Sequence, residues 1–276
     1  MLVLCLLAAS PSWIAAEAPP PAEITRVVSI APTVSEIICA IGACDKLVGV
    51  TRFDDYPQQV KGIAKIGGFV DPSLEAILNL RPHLVVLTKN GPNQSFVRAL
   101  DQHKLPWIAF ADERLDDFAA IAEKLGALLR REREAAALVA AFMAGLRTLN
   151  EQPRLTKSAL VVYDHAPLIV AGPDTFGAEI LGRCGLVNAY TGGVRYPTLD
   201  FETVVRSKPD VIIDVDMDGD GKSSPGYWSP VRPALKSAFV FVPDPGLMRL
   251  GPRLPGAMLA LRRQIDAALA AGRAQK

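Results

Sequence analysis

Three aspartates at alternate positions follow an apolar run in the second half of the chain. The segment Ile212–Gly221 reads IIDVDMDGDG, so Asp214, Asp216 and Asp218 match the opening of a calcium-binding loop. The twelfth position of such a loop should be a bidentate glutamate but is Pro225, and the flanking pattern is a strand where an EF-hand needs a helix. We interpret the segment as an acidic, glycine-rich loop. An exported metal-dependent hydrolase built on the three aspartates stays as a remote alternative.

One histidine also falls where it could reach a metal. His165 comes just past the predicted strand SALVVYD, and a neutral imidazole is a common metal ligand. An isolated histidine is more often a hydrogen-bonded loop residue, so we rank ligation below that role. The sequence contains no nucleophile elbow, phosphate-binding loop or HExxH motif. It therefore predicts a protein that is not an enzyme, with no catalytic residue, resident metal or cofactor.

Two phrases in the chain share one layout. SLEAILNLRPHLVV starts at Ser73 and DFETVVRSKPDVII starts at Asp200; each has a glutamate near the start of a short amphipathic helix, then a proline, then an apolar β-rich run. Glu75 and Glu202 occupy the same slot. The helix dipole favours an acid near a helix N-terminus, which explains one glutamate more easily than two in matching slots. Divergence from a duplicated module is the other explanation.

The elements that must position these residues alternate between short apolar runs and amphipathic patterns. This alternation predicts an α/β fold of two Rossmann-like lobes with parallel sheets, an N-terminal lobe over 24–111 and a C-terminal lobe over 156–273. The segment 112–152 between them contains no proline before Pro153 and keeps a 3.6-residue apolar period, so it predicts a long helical linker. Because forty helical residues would measure about 60 Å, a break near Gly126 or Arg130 is also compatible with the pattern.

Composition and the N-terminal residues indicate an exported protein. The chain has 30 Lys+Arg against 29 Asp+Glu, which lacks the basic footprint of a nucleic-acid binder. Residues 1–18 contain a short apolar run followed by small residues, so we expect a cleaved secretory signal peptide that is too short to span a bilayer. Cys39, Cys44 and Cys184 remain after cleavage. The spacing leaves open whether Cys39 and Cys44 form a disulfide or are two small buried residues near a helix end.

The order of these features resembles the helical-backbone substrate-binding proteins of bacterial ABC importers, which capture vitamin B12, haem or iron chelates in the periplasm. The resemblance covers about residues 24–270 and is most specific in SIAPTVSEI, VGVTRFDDYP and the paired glutamate phrases. It implies a periplasmic monomer with no direct membrane insertion and a permease dimer as its partner. In this family each lobe presents a glutamate to an arginine cluster on one half of the permease, which implies docking roles for Glu75 and Glu202.

The resemblance also implies where a ligand binds. Ligands of open α/β sheets bind beyond the carboxyl ends of the strands, and with two lobes we expect those ends to face a cleft. In the family several loop positions there are aromatic walls around a large flat ligand. Trp228 is a further candidate wall, and three cationic residues could meet amides, a phosphate or carboxylates of the ligand. The expected ligand-binding residues are Phe53, Phe69, Tyr196, Lys89, Arg195 and Arg249.

Individual aromatic positions bear on the identity of the ligand. Haem carriers of this family commonly place a tyrosine just ahead of the first glutamate phrase as an iron ligand, whereas this chain has Phe69. Carriers of vitamin B12 keep aromatics at the positions of Phe53, Phe69 and Tyr196, although two further positions that are often aromatic are Thr88 and Ile169 here. We therefore expect a cobalamin-type corrinoid, with a ferric siderophore or haem as the alternative. A haemophore that works without a permease would bind a ligand but would not depend on the two glutamates.

Overall fold

Two separate sheets form around the β-branched runs of the sequence. The computed structural model describes residues 13–15, 23–215, 225–242 and 245–274. The chain divides into unit 1, residues 1–112 and 116–137, and unit 2, residues 113–115 and 138–276. Each unit has its own sheet, and the α/β class with parallel sheets in two lobes is confirmed. No described helix combines the length and apolar character that crossing a membrane requires.

Unit 1 is built on a six-stranded sheet in the order β1-β6-β5-β2-β3-β4. Strands β2 and β5 are buried at every residue, as expected for central strands of a parallel sheet covered on both faces. Strand β1 pairs antiparallel with β6 and lies inside the segment 1–18, whose removal as a signal peptide stays a prediction. The described strands are β1 (Trp13–Ala15), β2 (Val27–Ser29), β3 (Leu47–Val50), β4 (Ala64–Lys65), β5 (Leu84–Thr88) and β6 (Trp107–Phe110). The helices of this part of the chain are α1 (Pro32–Ala40), α2 (Leu74–Asn79), α3 (Gln94–Gln102), α4 (Asp117–Leu129) and α5 (Glu132–Asn150).

The segment 112–152 forms two helices, with the break near Arg130 that the length of the predicted linker had left open. Helix α4 ends at Arg130, which adopts the left-handed conformation with φ 58° and ψ 50°. The turn lets α5 fold against α4 so closely that a Cβ at Gly126 would lie 2.6 Å from the Cβ of Ala135. Helix α4 belongs wholly to unit 1, and α5 begins in unit 1 and ends in unit 2.

The segment after α1 is hydrogen-bonded to the turn between α4 and α5. Cys39 and Cys44 form a disulfide across this loop, so the first of the two alternatives for this pair applies. Arg131 at the break donates from Nε to the carbonyl oxygen of Gly42 at 3.3 Å. Lys46 donates from Nζ to the carbonyl oxygen of Leu129 at 3.2 Å. The remaining described cysteine, Cys184, is buried in unit 2, and burial raises its thiol pKa to about 12.

Unit 2 is built on a sheet in the order β11-β10-β7-β8, with β9 paired to β7. The pairs β7–β9, β7–β10 and β10–β11 are parallel, whereas β7–β8 is antiparallel. The predicted strand SALVVYD extends to His165 as β7, and a turn at Ala166–Pro167 leads into strand β8. The described strands are β7 (Lys157–His165), β8 (Leu168–Val170), β9 (Leu186–Asn188), β10 (Val211–Val215) and β11 (Ala238–Val242). The helices are α6 (Phe176–Arg183), α7 (Phe201–Ser207) and α8 (Leu254–Ala274).

Each sheet packs its helices over a separate apolar core. In unit 1 the core includes Val28, Val85 and Ile77, all fully buried, so strands β2 and β5 and helix α2 meet there. In unit 2 it includes Val162 and Val204, which join β7 to α7. Burying one such aliphatic side chain contributes about 1.5–3 kcal/mol. The two cores therefore fix the positions of α2 and α7, the helices that carry the paired glutamates.

Candidate functional site

Helices α2 and α7 present Glu75 and Glu202 in the same local geometry. Each helix begins after an N-cap side chain that accepts a backbone hydrogen bond: Ser73 from Ala76 N at 3.2 Å, and Asp200 from Thr203 N at 2.7 Å. Each glutamate lies two residues after its cap, in the first turn, and is exposed. The paired slots of the two sequence phrases are thus the same position on two capped helices.

The burial pattern turns both carboxylates away from their own cores. The buried residue of α2 is Ile77 and that of α7 is Val204, each two positions after its glutamate. Because residues two apart on a helix do not share a face, burying these side chains leaves the glutamates in solvent. Glu202 is 83% exposed and lies 3.9 Å from Arg206, a contact between exposed i,i+4 partners that contributes little stability.

In unit 1 the predicted ligand-binding residues lie in the loops at the carboxyl ends of β3, β4 and β5. Phe53 follows β3 and is 49% exposed, Phe69 follows β4 and is half-buried, and Lys89 follows β5 and is exposed. Because β3, β4 and β5 lie in one sheet and run parallel, these three loops share one edge of it. A Cβ at Gly91 would lie 3.5 Å from the Phe69 ring, so the loop after β5 touches that ring. The structure thus brings the predicted loops of this unit to one edge.

Two polar contacts that the sequence did not reveal support the Phe53 loop. Arg52 forms a 2.9 Å ion pair with Asp71, and its guanidinium carbon lies 5.1 Å from the centre of the Phe53 ring. Asp54 is buried and accepts hydrogen bonds from the Thr51 amide at 2.9 Å and the Thr51 hydroxyl at 2.5 Å. Burial raises the pKa of Asp54, and these hydrogen bonds lower it in part. The run TRFDDYP gave the only sequence sign of this support.

In unit 2 Tyr196 is presented by an extended segment beside β8. Thr198 forms a bridge with Ile169, and the amide of Gly172 donates to the carbonyl oxygen of Arg195 at 2.7 Å. Tyr196 is 51% exposed. Arg195 is bound within the unit rather than projecting as a free cation, because it donates to Glu113 Oε2 at 2.9 Å.

The sixth predicted ligand-binding residue is in a separate segment of unit 2. Arg249 is half-buried and follows the short 3-10 helix Pro245–Met248. Thr88 and Ile169, the positions that lack an aromatic, are buried and half-buried respectively. Of the predicted aromatic residues, Phe53 and Phe69 therefore belong to unit 1 and Tyr196 belongs to unit 2.

Trp228, His165 and Asp214 form a buried network in unit 2 that corrects the expectation for Trp228 and confirms the hydrogen-bonded role for His165. Trp228 is fully buried and donates from Nε1 to Asp214 Oδ2 at 2.6 Å, so it is a core residue and not a ligand wall. His165 Nε2 lies 2.9 Å from Asp214 Oδ1, and its side chain is 6% exposed, so it faces this carboxylate and not a bound metal. Tyr227 completes the network by donating from its hydroxyl to the His165 carbonyl oxygen at 2.9 Å.

This network bears on the acidic loop. Asp214 is fully buried, and both of its carboxylate oxygens have partners within the core. Asp216 and Asp218 lie outside the described residues. Within the described ranges no group of three or more His, Cys, Asp or Glu residues could hold a metal ion. The geometry of Asp214 is that of a structural carboxylate, which gives the hydrolase alternative no support.

Known proteins resemble this chain in both sequence and fold. The model of the family described as "Periplasmic binding protein" matches residues 27–226. A vitamin B12-binding protein of Pectobacterium atrosepticum is 26% identical over 237 residues, covering 83% of this chain and 84% of that protein. An ABC transporter substrate-binding lipoprotein of Bacillus subtilis is 28% identical over 243 residues, covering 84% and 77%. The solved structure of a periplasmic haem-binding protein from Pseudomonas aeruginosa superposes with a TM-score of 0.78 at 25% identity, covering 88% of this chain and 92% of that one.

Proposed function

Because the chain belongs to the periplasmic binding protein family, we propose that it captures a cobalamin-type corrinoid in the periplasm and delivers it to the permease dimer of an ABC importer. At the coarser level the protein is an ABC importer substrate-binding protein of the vitamin B12, haem and iron-chelate group. Such proteins bind and release a solute and are not enzymes. Export to the periplasm, with cleavage of residues 1–18, is part of the proposal.

The matched presentation of Glu75 and Glu202 is the observation that carries the proposed delivery step. Each unit supplies one exposed carboxylate at the same position of a capped helix. A permease of two like subunits offers two equivalent surfaces, so a carrier with one acid per unit can contact both. A carboxylate bound by an arginine makes a charge-assisted, often bidentate contact. Such contacts fix register and raise association rates more than they raise affinity.

The aromatic side chains support a large flat ligand. Phe53 and Tyr196 are about half exposed, and Phe69 is half-buried at the same sheet edge as Phe53. Aromatic rings bury a large area while losing few rotamers, which suits a macrocycle. Phe69 has no hydroxyl to ligate an iron, and this favours a corrinoid over haem. The vitamin B12-binding relative from Pectobacterium points in the same direction.

Haem or a ferric siderophore is the second candidate ligand. The similarity to the haem-binding protein of Pseudomonas aeruginosa favours it, at an identity close to that of the vitamin B12-binding relative. The exposed cation Lys89, at the sheet edge that carries Phe53, would suit the carboxylates of either compound. A corrinoid and haem therefore differ here mainly in whether the protein must supply a ligand to the metal.

Titration of the protein purified from the periplasm separates the candidates. We expect saturable binding of cyanocobalamin and weaker binding of haemin and ferric siderophores. Intrinsic fluorescence and the corrin absorbance measure the binding of cyanocobalamin. A Phe69→Tyr variant should gain affinity for haemin and shift the Soret band, because the added hydroxyl supplies an iron ligand at that position. Binding of haemin or a siderophore by the wild type without cyanocobalamin would favour the second candidate. Failure to bind any of the three would overturn the proposed ligand group.

A further inference from the structure

The short segment Glu113–Leu115 is held by unit 2 although its chain neighbours on both sides belong to unit 1. Glu113 Oε2 accepts a hydrogen bond from Arg195 Nη2 at 2.9 Å. The amide of Leu115 donates to Glu179 Oε2 on helix α6 at 3.1 Å. The side chains of Glu113 and Arg195 are 42% and 46% exposed, so the ion pair is at the surface of the unit. One of the two attachment points is thus the loop that carries Tyr196.

Arg195 has its donors directed to groups of its own unit. In addition to the bond to Glu113, its Nε and Nη2 donate to the carbonyl oxygen of Asp174 at 3.2 and 3.0 Å. The hydrogen bond and charge of Glu113 raise the pKa of Arg195. The guanidinium carbon lies 5.7 Å from the centre of the Tyr196 ring. Arg195 therefore connects the carboxylate of Glu113 to the ring that is expected to contact the ligand.

Tyr163 supports the Tyr196 ring from within the unit. The two ring centres are 5.9 Å apart, in a tilted arrangement typical of aromatic pairs. The Tyr163 hydroxyl accepts a hydrogen bond from the amide of Gly177, in the first turn of α6, at 3.1 Å. A Cβ at Gly177 would lie 2.2 Å from that hydroxyl oxygen, so glycine is needed for this approach. Burial raises the pKa of Tyr163, which keeps the hydroxyl neutral.

We propose that Glu113 and Tyr163 are positioning residues for Tyr196: Glu113 holds Arg195 beside the Tyr196 ring, and Tyr163 packs against that ring. The proposal rests on the proposed function, because it takes Tyr196 as a ligand contact. It also revises the expected role of Arg195, which holds the aromatic surface in place instead of binding an anionic group of the ligand. Ligand affinity then depends on the segment Glu113–Leu115, which is remote in sequence from Tyr196.

Neutralising Glu113 distinguishes the two roles of Arg195 by the sign of the effect. In Glu113→Gln, loss of the carboxylate loosens Arg195 and the ring, so dissociation constants for cyanocobalamin and haemin should both rise about two- to fivefold, in keeping with the modest strength of a half-exposed ion pair. If Arg195 instead bound anions of the ligand directly, the same variant would free it and strengthen haemin binding. The control is Glu151→Gln, an exposed acid in the same unit. An increased or unchanged affinity in Glu113→Gln overturns the proposal.

Hydrogen exchange gives a measurement that does not need the ligand. The amide of Gly172 donates to the carbonyl oxygen of Arg195, so it reports on the loop. In Glu113→Gln its exchange should become faster while the thermal midpoint stays near that of Glu151→Gln. Unchanged exchange at Gly172 would overturn the proposal even if both ligands bind. If the wild type binds neither ligand, the proposed ligand fails, and exchange at Gly172 still decides whether Glu113 positions the loop.

Discussion

The indole of Trp228 donates a hydrogen bond to the carboxylate of Asp214 at 2.6 Å, inside the core of unit 2. The second oxygen of Asp214 faces His165. A carboxylate in this position satisfies two polar groups that are buried or nearly buried. Its removal leaves both unpaired, which is costly in a low-dielectric interior.

Asp214→Ala should therefore lower the free energy of unfolding by about 2–5 kcal/mol, because two buried polar groups each lose their hydrogen-bond partner. Urea denaturation followed by Trp fluorescence measures this change. Trp228→Phe, which removes only the donor, should cost less, about 1–3 kcal/mol. If Asp214→Ala instead keeps full stability and loses affinity for a divalent metal, the structural role is wrong and the metal-site alternative returns.

The paired glutamates should affect delivery and not capture. We expect the double variant Glu75→Ala, Glu202→Ala to abolish uptake of the ligand in a strain that depends on this carrier. Both side chains are exposed and outside the aromatic surfaces, so the dissociation constant of the ligand should stay at the wild-type value. The measurements are uptake of labelled cyanocobalamin and a binding titration. An equal loss of affinity would contradict the docking role, and uptake that is unaffected would point to a permease-independent carrier.

The exposed aromatics should contribute directly to affinity. Phe69→Ala and Tyr196→Ala are each expected to weaken ligand binding on the order of tenfold, because truncation removes a large apolar ring from a contact. Fluorescence titration measures the dissociation constants. Val187→Ala is the matched control, since Val187 is apolar and 63% exposed, and its strand β9 pairs with the first residues of β7, whereas Tyr196 lies near Tyr163. Unchanged affinity in both aromatic variants would remove the idea of an aromatic ligand surface.

Asp210 should make unit 2 sensitive to acid. Burial raises its pKa, but the hydrogen bond from Lys157 at 2.7 Å and those from Ser158 outweigh burial, so the net pKa is lowered from 3.8. A lowered folded-state pKa means that the stabilisation is present above pH 3.8 and is lost as the pH falls through the folded value. The side chains are about one-third exposed, so screening keeps the contribution below about 1 kcal/mol.

Asp210→Asn tests this contribution. The difference in unfolding free energy between wild type and variant should be constant near neutral pH and should shrink below about pH 4. Urea denaturation over a pH series provides the measurement, with Asp45→Asn as the control for an acid that has no described ion pair. A difference that grows on acidification would contradict the assigned sign.

Local patterns were enough to predict the fold class and the paired glutamates. Alternation of β-branched runs with amphipathic segments predicts strands and helices because each element needs one apolar face or a buried interior. Glu75 and Glu202 were found because each lies near the start of a short amphipathic helix that is followed by a proline and an apolar run, a layout that spans only a few residues. Their equivalence on α2 and α7 follows from the same short-range rules.

Contacts between distant residues were beyond such patterns. Glu113 and Arg195 are 82 positions apart, and His165 and Asp214 are 49 apart, so no local period joins them. The sequence does not distinguish Trp228 from an aromatic residue that contacts a ligand. Only its packing in the core with residues such as Ile212 of β10 shows that it is a core residue. The length of the segment 112–152 allowed a break near Gly126 or Arg130, but only the structure shows that Arg130 takes the left-handed conformation usual for glycine. Short-range sterics and the periodicity of apolar residues therefore account for the helices and strands. Whether a given polar or aromatic side chain is exposed or buried, and whether it has a partner, was decided by which segments pack against each other in the tertiary structure.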